Sequence, residues 1–158
     1  MNFEMVKEVS ILIGVVGTIT TLIIGLVKFR LYSKQKHFER FQELRRKLTE
    51  NEKLRQICDY LDFKDPKIET VDYKDKYDFI GIFEDIAIMM NSGLIKKEIV
   101  YYMLAYYAIR CSENDPFWKN INRQAPYWRL FHDFALQMKE LEKKNLNPNS
   151  FNRNDYTL

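Results

Sequence analysis

The sequence predicts an all-α protein, with one N-terminal transmembrane helix followed by a cytosolic bundle of about five helices. Three observations carry this expectation. Val9–Val27 is a run of 19 residues without a charge. The remainder repeats apolar residues at intervals of three and four, the period of a helix with one buried face. Only five Gly and four Pro interrupt the 158 residues.

As a helix, the uncharged run would extend roughly 28 Å, close to the hydrocarbon thickness of a bilayer. A cleavable secretory signal would need a basic leader and a small-residue cleavage site. The leader, residues 1–8, instead carries Glu4, Lys7 and Glu8, and the run ends in KFRLYSKQKHFER. The transmembrane helix is therefore assigned to 9–27. Lys28, Arg30, Lys34, Lys36 and Arg40 follow it and only Lys7 precedes it. Positive charge stays inside, which places the leader outside and the C-terminal portion in the cytoplasm. Ser10, Gly14 and Thr18 form one row of small residues, and Gly17, Thr21 and Gly25 form another. Such rows let helix backbones approach in lipid, and a homo-oligomer is expected from them.

Residues 28–48 read as a basic amphipathic helix continuing the span, with Phe38, Phe41, Leu44 and Leu48 on its apolar stripe. Residues 28–55 carry a net charge of +6, residues 56–85 carry −5, and residues 86–158 carry +3. Next to a bilayer, the basic block gains about 1 kcal/mol per Lys or Arg from anionic head groups.

The helical domain is assigned to 49–145. TENEKLRQI offers a capping box with Thr49 as N-cap and Glu52 three residues on. The helix it opens carries Leu54, Ile57, Cys58 and Leu61. DFKDPK reads as a turn centred on Pro66, and KIETVDY as extended. A third helix starts near Asp75 with Ile80, Phe83, Ile86, Ala87 and Met90 inward. NSG ends it, with Gly93 as the left-handed residue. EIVYYMLAYYAIRC forms the next helix, 96–111, whose tyrosines are expected in the core, with a binding or subunit surface as the alternative. Pro116 opens a short helix and Pro126 a long one. The tail, 146–158, is Asn-rich and aperiodic and reads as flexible.

Chemistry-bearing residues are few. Cys58 and Cys111 are far apart and read as buried thiols, with no Cys/His pattern for zinc. No metal or cofactor is expected. His37 is placed at the surface. The side chains of His132 and Asp133 diverge by about 100° on a helix, which rules out a simple relay between them. Glu84, within GIFEDIAIMM, reads as a buried carboxylate paired with Arg110 or Arg129. No glycine-rich phosphate loop or nucleophile motif occurs, and an enzyme is not expected. WKNINRQAPYWRL does suggest binding: Lys119, Arg123 and Arg129 offer charge to an anionic ligand, while Tyr127 and Trp128, near Trp118, offer stacking. A duplex DNA partner is not expected of a membrane-tethered chain.

Taken with the membrane helix and the basic helix, the segments FIGIFEDIAIMMNSGLI and PYWRLF resemble a bacterial family of short membrane-anchored proteins of unknown function. In architecture and size the chain also looks like the small ancillary membrane effectors of type III CRISPR systems, whose cytosolic helical domain binds cyclic tetra-adenylate. That resemblance implies an oligomer that senses a cyclic oligonucleotide and perturbs the inner membrane in antiviral defence. A membrane-tethered adaptor that binds a protein partner without gating is the other expectation.

Overall fold

The computed structural model describes the backbone of residues 3–145 and the side chains of residues 12–144. The tail 146–158 and the side chain of Ser10 lie outside the described residues. All regular structure among the described residues is helical: α1 (Phe3–Glu50), α2 (Glu52–Phe63), α3 (Tyr73–Asn91), α4 (Lys97–Glu113), α5 (Asp115–Trp118) and α6 (Arg129–Asn145), with 3-10 turns at Pro66–Thr70 and Pro126–Trp128. The chain divides into two units, one ending at Lys36 and one beginning at His37.

In the first unit, α1 is the one described helix long and apolar enough to cross a membrane. Its apolar window has a mean hydropathy of 2.1 and is 0% buried. Exposing a large aliphatic side chain to water forgoes about 1.5–3 kcal/mol, so this surface calls for an apolar surrounding. The hydroxyls of Thr18, Thr20 and Thr21 donate to the carbonyls of Gly14, Val16 and Gly17, at 2.9, 2.8 and 2.9 Å. Each thus satisfies its donor within its own helix. A Cβ added at Gly14, Gly17 or Gly25 would meet nothing within 4 Å, which leaves open backbone along the two small-residue rows.

The second unit begins with the last turns of α1, whose apolar stripe is captured by the bundle: Phe41, Leu44 and Leu48 are buried and Phe38 packs against them. Because α1 continues to Glu50, Thr49 lies inside it and donates to the Arg46 carbonyl. The cap of α2 is therefore Asn51 and not Thr49, its Oδ1 accepting from the N–H groups of Lys53 and Leu54. Leu54, Ile57, Cys58 and Leu61 face inward as the spacing predicts. KIETVDY is not extended. Asp65 caps a 3-10 turn with Pro66 at its start, and Ile68 is pulled into the core.

α3 buries Phe79, Ile80, Phe83, Ile86, Ala87 and Met90. It stops in a Schellman arrangement: Gly93, at φ +68°, donates to the Met90 carbonyl, and Leu94 donates to the Met89 carbonyl. α6 packs chiefly on α4 and α3. Between them lies an aromatic core, with Phe83 against Phe79, Phe131 and Phe134 at 5.2, 5.9 and 6.1 Å, and Trp118 against Trp128 at 5.9 Å. Edge and tilted contacts of this kind add about 0.5–1.5 kcal/mol per pair to the area they bury.

Only two of the four tyrosines of α4, Tyr101 and Tyr107, pack against the core. Ile99, Val100, Leu104, Ala105, Ala108, Ile109 and Cys111 fill the interior. Tyr101 and Tyr107 are half-buried, while Tyr102 and Tyr106 are exposed. Aliphatic and small residues take the tight helix–helix contacts, and phenols keep their hydroxyls near water.

Candidate functional site

The segment Trp118–Arg129 is a connection held to the bundle at several points. Asn114 caps α5 by accepting from the Phe117 N–H at 2.8 Å. The Trp118 indole donates to the Cys111 carbonyl at 3.0 Å. After α5 the chain turns through Asn120, whose φ is +64°, a conformation asparagine tolerates better than most residues. A 3-10 turn led by Pro126 then delivers Trp128 into the core and starts α6.

The five predicted ligand residues divide into three groups. Lys119 is ion-paired with Glu69 of the 3-10 turn. Arg123 pairs with Asp115 at 3.1 Å, donates to the Ser112 carbonyl and lies over the Trp118 ring at 5.8 Å. These two cations tie the connection to its neighbours. Trp128 is only 1% exposed, so its ring packs in the core and presents no face to solvent. Tyr127 and Arg129 are exposed. Arg129 faces Asp133 at 3.8 Å with its side chain 84% exposed, a pairing worth little in water.

His132 is half-buried. Its Nε2 lies 2.8 Å from the Arg123 carbonyl and its ring sits 5.1 Å from that of Trp118. His37 is half-buried too. Glu84 pairs with neither Arg110 nor Arg129. Its Oε1 is buried without a partner, and burial pushes its pKa up, the Phe131 backbone beside it working in the opposite direction. Arg110 instead donates to the Leu61 carbonyl at 3.5 Å and stacks on Tyr106 at 4.5 Å.

Two features escaped the sequence reading. Lys76 is 2% exposed, donating to the Glu69 carbonyl at 3.2 Å with its ammonium 5.5 Å from the Phe117 ring. The signal was present, since Lys76 shares a helix face with Phe79, Ile80 and Phe83. The other is a hollow of about 670 Å³ lined by Lys64, Tyr106, Arg110, Glu113, Asp115 and Glu142 among others. Two of its carboxylates are already neutralised, Glu113 by Lys139 and Asp115 by Arg123. No protein-family model, curated protein or solved structure matches the chain.

Proposed function

We propose that this chain is a single-pass membrane protein of the bacterial inner membrane, N-terminus outside and helical domain in the cytoplasm, that works as an oligomeric sensor or effector. The helical domain takes an anionic ligand, of the cyclic oligoadenylate class in the systems its architecture resembles. The resulting change of assembly perturbs the membrane as an antiviral response. The observation that carries this reading is the exposed apolar surface of α1, with open glycine backbone along it and a cluster of basic residues directly after it. Such a helix gains by entering lipid, and helices of that kind associate through small residues.

Tyr127 and Arg129 are the ligand-facing members of the predicted set, being exposed neighbours. Lys119 and Arg123 would join them by exchanging a surface carboxylate for a phosphate. The reading is non-catalytic: His132 is bonded to the Arg123 carbonyl and Glu84 is turned into the bundle with its Oε1 buried. Coupling to the membrane requires the ligand to bind one assembly state better than another.

The test is the melting temperature of the full chain in detergent with cyclic tetra-adenylate, with linear oligoadenylate and mononucleotides as controls. A ligand that binds only the folded state raises the midpoint by mass action. A rise selective for the cyclic ligand, lost in Arg129→Ala, supports the sensor. Absence of any shift removes it. Protease protection in spheroplasts checks the topology.

A second reading, the tethered adaptor without gating, is favoured by α4. Its Tyr102, 75% exposed, and Tyr106 one turn on form an aromatic strip of the kind enriched at protein interfaces.

A further inference from the structure

In the second unit, the end of α1 and the outer side of α3 enclose a groove. One hollow of about 250 Å³ is lined by His37, Arg40, Leu44, Asp85, Ile88, Met89 and Leu94. A second of about 480 Å³ is lined from Leu44 and Lys47 to Tyr77, Asp78, Gly81 and Asp85. The two meet at Leu44 and Asp85, so they form one continuous trough. Its walls expose apolar surface: Ile88 is 54% exposed, Tyr77 52% and Leu94 40%. Gly81 contributes bare backbone, with nothing within 4 Å of an added Cβ.

The charges sort by rim. Arg40 and Lys47 stand on the α1 side, Asp78 and Asp85 on the α3 side. Arg40 and Asp85 share the first hollow, and Lys47 and Asp78 the second. Asp78, Asp85 and Lys47 have no ion-pair partner among the described residues, and Arg40 bonds only to Glu43 three residues on, in an exposed pair that is easily exchanged.

We infer that this groove is the docking surface for a second copy of the chain, related by a two-fold axis running along the groove. Such an axis exchanges left and right rims while keeping position along the groove. Arg40 of each copy then faces Asp85 of the other, Lys47 faces Asp78, and the exposed Ile88, Leu94 and Tyr77 are covered. A two-fold axis makes the contact self-complementary, and four oppositely charged meetings set its register. A partner uniformly basic or uniformly acidic would be repelled by one rim. The inference rests on the oligomeric reading above and assigns it a surface outside the membrane helix.

The experiment measures the mass of the full chain in nanodiscs at several concentrations. Arg40→Glu alone and Asp85→Arg alone each weaken association at least tenfold, and the double variant R40E/D85R recovers it, because the swapped charges meet again across the axis. Arg40, Asp85 and Ile88 are exposed, so helix content and melting temperature stay at wild-type values; Ile88→Arg dissociates the copies in the same background. Wild-type mass in both single variants overturns the proposal, as does a double variant no better than either single one. A parallel arm substitutes Gly14, Gly17 and Gly25 with Ile. If only this arm changes the mass, the membrane helix holds the copies together and the groove does not, while the oligomer itself stands. A monomeric wild type overturns both.

Discussion

The carboxylate of Glu84, on α3, sits beside the backbone of Phe131 in the first turn of α6, which draws its pKa down against the rise that burial imposes. The first turn of a helix leaves its N–H groups without internal partners and carries partial positive charge. Here a neighbouring helix brings a carboxylate to an α6 start whose own Trp128 and Arg129 cannot cap. The arrangement fixes α6 against α3, at the edge of the aromatic core that Phe131 and Phe83 share.

Glu84 pays for this with burial, which raises its pKa from the ordinary 4.5. A group whose pKa is raised by folding contributes its full stability below the unfolded value and loses it as pH rises through the folded one. Stability of the helical domain should therefore decline as pH climbs out of the ordinary carboxylate range. Glu84→Gln keeps a polar oxygen beside Phe131 without the charge. It should flatten that decline and melt no lower than wild type at neutral pH, whereas Glu84→Ala should cost about 1 kcal/mol. Denaturant titrations across pH check this, and an unchanged pH slope in the Gln variant contradicts it.

Lys76 poses the converse case. Burial lowers its pKa, so the folded state binds its proton less well than the unfolded chain, and stability should increase as pH rises through the alkaline range. Lys76→Met matches its length without a charge to desolvate, and should stabilise the domain by about 1 kcal/mol at neutral pH. Lys76→Ala opens a void beside Phe117 and should lose about 2 kcal/mol. Urea midpoints of the three proteins decide, and a methionine variant weaker than wild type would show that the bond to the Glu69 carbonyl outweighs desolvation.

Arg123 and Arg129 look alike in the sequence and should behave differently. Arg123→Ala removes the Asp115 pair, the Ser112 bond and the contact with Trp118, and should cost about 2 kcal/mol. Arg129→Ala should change stability by less than about 0.5 kcal/mol. Equal losses in thermal melts would refute the distinction.

At Gly93 the backbone needs φ +68°. Gly93→Ala should cost about 1 kcal/mol, with α3 fraying at its C-terminus, read as faster amide exchange at Gly93 and Leu94. Ser92→Ala serves as the control and should leave exchange unchanged.

Local rules made much of this fold legible. Phe41, Leu44 and Leu48 at helical spacing were enough to place the end of α1 in the core, and Gly93 marked a helix end with its own geometry. Where two local rules competed, the sequence could not arbitrate. Thr49 and Asn51 are both good caps, and the choice depended on how far α1 continued. On α4, apolar residues surround the helix, so periodicity could not separate Leu104 from Tyr106; only the packed neighbours do. The candidate ligand segment shows the limit most clearly. Lys119 and Arg123 lie close to each other in sequence, but the carboxylate that neutralises Lys119 comes from Glu69, 50 residues away. Charge clustering along a chain carries no information about such distant partners.

Both cysteines are buried in the helical domain, with Cys58 pushed up to about 12 and Cys111 well above its ordinary value by burial. A protonated, inaccessible thiol reacts slowly with alkylating probes. The native chain is therefore a silent background for chemical labelling. A single cysteine introduced at any exposed position will report its own accessibility, and so test the proposed topology and assembly, without first removing Cys58 and Cys111 and disturbing the core they fill.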